Sequence, residues 1–149
     1  MQDKHWISRT VALIGDEKLD KLINSHVLVV GLGGIGSFAA EFIARAGVGK
    51  MTIVDGDVVD PSNRNRQLPA MFSTHGVSKA DWMAERIRDI NPEIELHVVK
   101  EFLSPEKAYE IVGLYDYDYI IDAIDSITPK INLLKAAYEL KKKIVIKKM

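Results

Sequence analysis

Cysteine is absent from all 149 residues, which excludes a disulfide, a CxxC zinc site and a thiolate nucleophile within this chain. Long apolar runs are missing too. None approaches the roughly 20 residues that span a bilayer, and the opening MQDKHWISRT has neither the basic nor the apolar region of a secretory signal. A cytoplasmic protein without membrane contact is expected. Neither sign of charge is in excess, since 20 Lys and Arg face 21 Asp and Glu, so there is no global pull toward nucleic acid or membrane. Histidine is sparse. His5, His26, His75 and His97 lack metal-ligand spacing and are expected at the surface or in packing, as are Trp6 and Trp82, which have apolar neighbours and suit packing or a dimer contact.

What is present is a 47% hydrophobic chain without repeats or low-complexity linkers, the length and composition of one globular domain with a sizeable core. Apolar runs of strand length alternate with helix-period segments from Val27 onward. Strands are expected at His26–Val30, Met51–Val54, Ile94–Val99, Tyr119–Ile124 and Ile144–Ile146, and such short apolar runs suit a buried parallel sheet. Helices are expected at GSFAAEFIARAG, before Gly47, and at SKADWMAERIRDIN, where Ala80, Met83, Ala84 and Ile87 share one face before Pro92. A third helix is expected to start with Thr128 as N-cap and Pro129 in the first position, with Ile131, Leu134 and Tyr138 facing the core. An amino-terminal helical segment, 1–25, precedes a βα core, 26–149. Right-handed crossovers then give an α/β, Rossmann-like, doubly wound and mainly parallel sheet with helices on both faces. Ligands are expected at the strands' carboxyl ends, near Gly31, Asp55 and Asp125.

The stretch Gly31-Leu32-Gly33-Gly34-Ile35-Gly36 fits a GxGxxG loop between strand and helix. Gly31 permits a tight turn, Gly33 lets the backbone approach a phosphate, and Gly36 lets helix and strand pack closely. Helix N-terminal N–H groups attract the anion, and Asp55, about 20 residues on, sits where an acid binds ribose hydroxyls. The plainer alternative is glycines selected for turns and packing.

A dehydrogenase would be the routine inference from this loop, but SNRNRQ follows, bringing Asn63, Arg64 and Arg66 onto a loop after the second strand. Arginine forks fit phosphate oxygens, and a triphosphate offers several that a redox dinucleotide lacks. Lys79, opening the next helix, can add a point charge. Taken singly, these residues would read as a solvated loop and an exposed lysine. In IDAIDS, Asp125 can hold Mg2+ together with phosphate oxygens, whereas Asp122 is expected to be structural. Lys141, Lys142, Lys143, Lys147 and Lys148 form a basic cluster that could touch RNA phosphates but fits a solvated helix end better.

VVGLGGIGS, IVDGDVVDPSNRNRQ, GVSKA and IDAIDS occur in that order over nearly the whole chain. Through them it resembles the adenylating family of ubiquitin-activating enzymes and the bacterial MoeB and ThiF proteins. The resemblance implies an ATP site with Gly33 and Gly34 at the phosphates, Asp55 on the ribose, Asn63, Arg66 and Lys79 on the phosphates, and Asp125 on Mg2+. Gln67 closes the loop's share of the cofactor-binding set, and Arg66, Lys79 and Asp125 are the implied catalytic groups. Arg9, in ISRTVALIGDEKL, matches an arginine that the family supplies across a homodimer interface to the partner's ATP. RTVALIGDEKLDKL, MAERIRDINPE and DYIIDAIDSITPK resemble most the branch that dehydrates threonylcarbamoyladenosine in tRNA. That branch implies ATP-driven joining of a carboxylate to AMP, loss of pyrophosphate and ring closure on the modified adenosine, which needs no cysteine.

The family usually continues past the strand KIVIKKM, so the chain is expected to be an amino-terminal part of a longer protein. Two other function classes stay open. One is adenylation of a ubiquitin-like sulfur-carrier protein, which a Gly-Gly-ending partner would favour. The other is a non-catalytic nucleotide-binding module, which NAD binding without ATP binding would favour.

Overall fold

Strand β1 (His26–Val30) is buried at every residue, as a strand covered on both faces must be. The computed structural model describes residues 5–148; the first four residues of the expected amino-terminal segment, and Met149, lie outside them. Beside β1 run β2 (Lys50–Val54), β3 (Glu95–Val99), β4 (Tyr119–Asp122) and β5 (Ile144–Ile146), all parallel, in the order β3-β2-β1-β4-β5. Val30 is in register with both Val54 and Asp122. Three strands therefore end level, and the order reverses between β1 and β4, where doubly wound sheets open a crevice.

Alternation along the strands builds two cores. Val27, Val29, Met51 and Ile53 face α3 (Gly36–Ala46) and α4 (Lys79–Ile90), whose Ala80, Met83, Ala84 and Ile87 are buried as their spacing predicts. Leu28, Val30 and Val54 face α5 (Pro105–Leu114) and α6 (Ile127–Glu139). Glu41 of α3 accepts from Arg86 of α4 at 3.1 Å and from Arg45 at 2.9 Å, which ties the two helices together. Ahead of the sheet, α1 (Ser8–Ile14) and α2 (Asp16–Ile23) break at Gly15, where φ is +79°. The segment is anchored by Ile7, just ahead of α1, and by Leu19 of α2, at 5% and 0% exposure.

The structure corrects the sequence expectations at three elements, α5, α6 and β4. Helix α5 was not anticipated, although Ser104 caps it by accepting the Lys107 N–H at 3.1 Å and Pro105 follows. Helix α6 starts two residues earlier than expected, with Ser126 at the N-cap and Thr128 and Pro129 inside the first turn, where a missing N–H costs nothing. Its phase shifts accordingly. Leu133, Ala136 and Ala137 are fully buried, whereas Ile131 and Tyr138 are 56% and 85% exposed. The strand expected to reach Ile124 ends at Asp122, because Asp122 Oδ1 accepts the Ile124 N–H at 3.1 Å and turns the chain out of the sheet.

Candidate functional site

The level ends of β1, β2 and β4 open into a cleft of about 310 Å³. Its lining contains Gly31, Gly33, Asp55, Asn63, Arg66 and Gln67, with Lys79 and Asp125 opposite them in the chain's later half. Gly34 and Gly36 are outside the lining. Gly36 is required by the fold itself, since a Cβ there would lie 1.7 Å from the Gly31 carbonyl oxygen; one on Gly31, at φ +92°, would lie 2.8 Å from that of Ala123. At Gly33 and Gly34 the nearest atoms to a Cβ belong to Gln67 and Arg66, each at 3.5 Å, an ordinary contact. A Cβ would therefore fit at both positions, which leaves the loop backbone open to the cleft side. No side chain caps α3, whose N-terminus begins at this loop.

Asp55 ties the loop to the end of β2. Its Oδ2 accepts the Leu32 N–H and its Oδ1 the Asp57 N–H, both at 2.7 Å. Burial pushes its carboxyl above the usual carboxylate range, and these two N–H groups and the charge of Lys79 partly oppose that shift.

The arginine loop begins with a 3₁₀ turn, Pro61–Asn63. Asp60 caps it, and Asn63 Oδ1 returns to the Asp60 N–H at 3.0 Å. Asn63 is therefore buried by its own turn, with its amide NH2 left as donor. Arg66 reaches the Ser62 carbonyl oxygen at 3.2 Å and Asn65 Oδ1 at 3.0 Å. Arg64 is exposed and does not line the cleft; its guanidinium sits 5.9 Å from the Phe72 ring. Gln67 is 8% exposed, yet its buried Oε1 has no hydrogen-bond partner. An orphaned acceptor in a cleft is a place for a ligand donor or a water.

Lys79 is not the exposed lysine of the plainer alternative: it lines the cleft at 5% exposure, and its Nζ lies 3.8 Å from Asp57 Oδ2. The connection from β2 folds back to hold it: the Lys79 N–H donates to the Asp57 carbonyl oxygen at 3.1 Å, and Ser78 Oγ caps α4. Asp122 is fully buried and pairs with Lys130 Nζ at 2.6 Å, which anchors the turn presenting Asp125. Asp125 itself is exposed and pairs with Lys147. Arg9 lies exposed on α1 and is absent from the lining, so this chain does not bring it to its own cleft.

Sequence reasoning missed two residues here. Phe102 lines the cleft at 69% exposure, with its ring 2.8 to 2.9 Å from where a Cβ on Gly56 would be; an apolar residue beside acidic Glu101 in a loop was the available signal. Lys147 was grouped with its lysine neighbours, and only strand pairing separates it from them.

The family model described as ThiF family matches residues 7–148. The tRNA threonylcarbamoyladenosine dehydratase of Bacillus subtilis is 52% identical over 131 residues, which is 88% of this chain and 51% of that protein. A probable molybdopterin-synthase adenylyltransferase of Porphyra purpurea is 36% identical, over 93% of this chain and 35% of that protein. The crystal structure of the Escherichia coli tRNA N6-threonylcarbamoyladenosine dehydratase, TcdA, in complex with ATP matches with a TM-score of 0.94 at 40% identity, covering 97% of this chain and 60% of that chain. The chain thus spans about half the length of the curated dehydratase it matches.

Proposed function

This chain belongs to the ThiF family, and from that premise we propose that it is the ATP-binding part of a longer enzyme that adenylates a carboxylate, most specifically the cyclising dehydration of threonylcarbamoyladenosine in tRNA. The observation that carries this is the cleft at the strand ends, where glycine backbone, a ribose-height carboxylate, cations and a second carboxylate converge. The greater identity to the Bacillus subtilis dehydratase than to the Porphyra purpurea adenylyltransferase supports tRNA as substrate over a carrier protein.

In this proposal the Gly33 and Gly34 backbone and the N-terminus of α3 receive phosphate. Asp55 accepts from the ribose, and the ring of Phe102 offers the base an apolar face. Asn63, Gln67, Arg66 and Lys79 surround the phosphates. A substrate carboxylate oxygen attacks the α-phosphorus, the bond to pyrophosphate breaks, and the acyl-AMP then loses AMP as the ring closes. Negative charge builds on the phosphates during the first step, so Arg66 and Lys79 act most strongly in its transition state.

Mg2+ fits the donor set. It commonly uses one or two carboxylates and completes its shell with phosphate oxygens and water, and Asp125 supplies one such carboxylate at the cleft. Among the described residues no group of three or more His, Cys, Asp or Glu could hold a metal, so the ion would arrive with the triphosphate. Bound there, it would withdraw charge from the phosphate oxygens.

A homodimer completes the proposal. Arg9 is exposed on α1 and can serve a cleft only in a second copy, while Phe38 and Phe42 of α3, with Ile35 at its N-cap, are apolar and 39%, 64% and 51% exposed. The remainder of the longer protein would cover the apolar edge strand β5, where Val145 and Ile146 are about half exposed. The proposal includes a cytoplasmic location, where ATP and tRNA are both at hand; among the described residues no helix is long and apolar enough to cross a membrane.

The test is ATP binding and ATP–pyrophosphate exchange by the full-length protein, with threonylcarbamoylated tRNA and with a Gly-Gly-ending carrier protein supplied separately. ATP should bind in preference to NAD, and AMP release should require the tRNA. Tight NAD binding without ATP binding would overturn the adenylating assignment, and turnover with the carrier alone would move the enzyme to carrier activation.

A further inference from the structure

Strand β5 divides the carboxyl-terminal lysine run between two ends of the sheet. Lys142, ahead of β5, pairs with Asp116 at the end away from the cleft. Lys147 leaves β5 on the cleft side. Its N–H donates to the Asp122 carbonyl oxygen at 2.9 Å, which extends the β4–β5 pairing by one residue and carries the side chain to the turn that precedes α6. There its ammonium pairs with Asp125, and the lysine side chain is the more covered partner, at 18% exposure against 69%. The cation is thus held in place by the sheet, and the carboxylate comes to it.

The function proposed above assigns Asp125 to Mg2+ and leaves Lys147 without a role. Yet an ammonium and a divalent ion cannot both sit close to one carboxylate without strong mutual repulsion. An exposed lone carboxylate attracts Mg2+ weakly, and a fixed neighbouring cation reduces that attraction further. The several negative charges of a triphosphate reverse the balance. We propose that Lys147 is a built-in counter-cation that holds Asp125 and suppresses divalent-ion binding until ATP supplies the extra charge, so that metal and nucleotide enter the site together. This rests on the Mg2+–ATP assignment of the same cleft. It makes Lys147 a positioning residue, acting on the metal through Asp125.

The experiment is calorimetric titration of ATP into the full-length protein at a series of Mg2+ concentrations, for wild type, Lys147→Met and Lys147→Arg. Binding of Mn2+ in the absence of nucleotide is followed in parallel by its paramagnetic resonance signal. Removing the charge should lower the Mg2+ concentration that half-saturates ATP binding by about 10-fold and should make Mn2+ binding without ATP detectable. Lys147→Arg should keep the wild-type midpoint. In an Asp125→Asn background, Lys147→Met should no longer move it, an outcome that a merely structural loss at the end of β5 would not produce. The inference is overturned if Lys147→Met leaves the midpoint unchanged, or if it weakens ATP binding at saturating Mg2+, which would make Lys147 a phosphate ligand. Wild-type binding of ATP that is absent, or indifferent to Mg2+, would instead overturn the Mg2+–ATP assignment and this inference with it.

Discussion

Arg66 takes both of its hydrogen bonds from its own exposed loop, at Ser62 and Asn65, so it contributes little to the fold. Replacing it isolates the chemistry. Arg66→Ala should lower pyrophosphate exchange about 10²- to 10³-fold, as does removal of one preorganised charge-stabilising donor, with the thermal midpoint almost unmoved. Wild-type exchange by a variant that melts much earlier would make Arg66 structural. Lys79 needs a different substitution, because it is buried and truncation would leave both a hole and a lost cation. Lys79→Met keeps the volume and tests the charge alone. Phe102 should act on binding rather than chemistry. Base–aromatic stacking is worth about 1–3 kcal/mol by alanine substitution, so Phe102→Ala should raise the Kd for ATP roughly tenfold or more and leave kcat near wild type. A fall in kcat at unchanged Kd would remove the ring from the base subsite.

Elements are held to one another by buried polar pairs, and these set the cost of disturbing the site's frame. Asp122 of β4 and Lys130 of α6 are both buried and in contact at 2.6 Å. Lys130→Met should destabilise by about 3–5 kcal/mol, the cost of leaving the other charge buried alone. Chemical denaturation measures it, and replacing both partners with apolar residues should recover much of the loss. At the opposite end of the sheet, His26 of β1 meets Thr52 Oγ1 of β2 at 2.9 Å and packs against His97, Tyr115 and Tyr117. Burial pushes its imidazole pKa down, the charge of His97 adds to that, and Glu95 partly opposes it. Above the ordinary histidine pKa of about 6.5, the folded and unfolded states both carry it neutral and its stability contribution is intact. As pH falls below that value toward the lower folded pKa, the unfolded state binds the proton first and stability declines. Thermal melts from pH 8 to pH 5 should slope accordingly, and His26→Gln should flatten the slope. An unchanged slope would assign it to other groups.

For the whole molecule the decisive prediction is shared active sites. Arg9 stands on α1, outside the lining of its own cleft, and under the homodimer proposal it completes the neighbour's. Full-length Arg9→Ala and Asp125→Ala proteins, each inactive alone, should recover up to about a quarter of wild-type activity when mixed 1:1 and allowed to exchange subunits. That figure follows from half the chains entering mixed dimers, each holding one intact site out of two, on the scale of the complete enzyme. No recovery after demonstrated subunit exchange would show that each chain uses its own Arg9 or none.

Much of this was legible in the linear sequence, because the relevant signals are local. Turn chemistry wrote the glycine loop, the continuous apolar run of β1 marked a strand buried on both faces, and the spacing of Ala80, Met83, Ala84 and Ile87 fixed the buried face of α4. Position in a parallel sheet is not local. Asp118 accepts the His26 N–H across 92 residues of sequence, and the β1–β2 and β1–β4 pairings together set the ends of β1, β2 and β4 level. It decides that Asp122 meets Lys130, that Lys79 is buried, and that Lys147 reaches Asp125 while Lys142 does not. The phase of α6 was misread for a related reason. Proline is equally acceptable throughout a first turn, so the local signal leaves a helix start free by two residues, and packing against β4 decides which face is buried. Composition and short-range pattern thus determined the elements and the chemical inventory. The long-range strand pairing decided which of those side chains share a cleft and which are paired with one another.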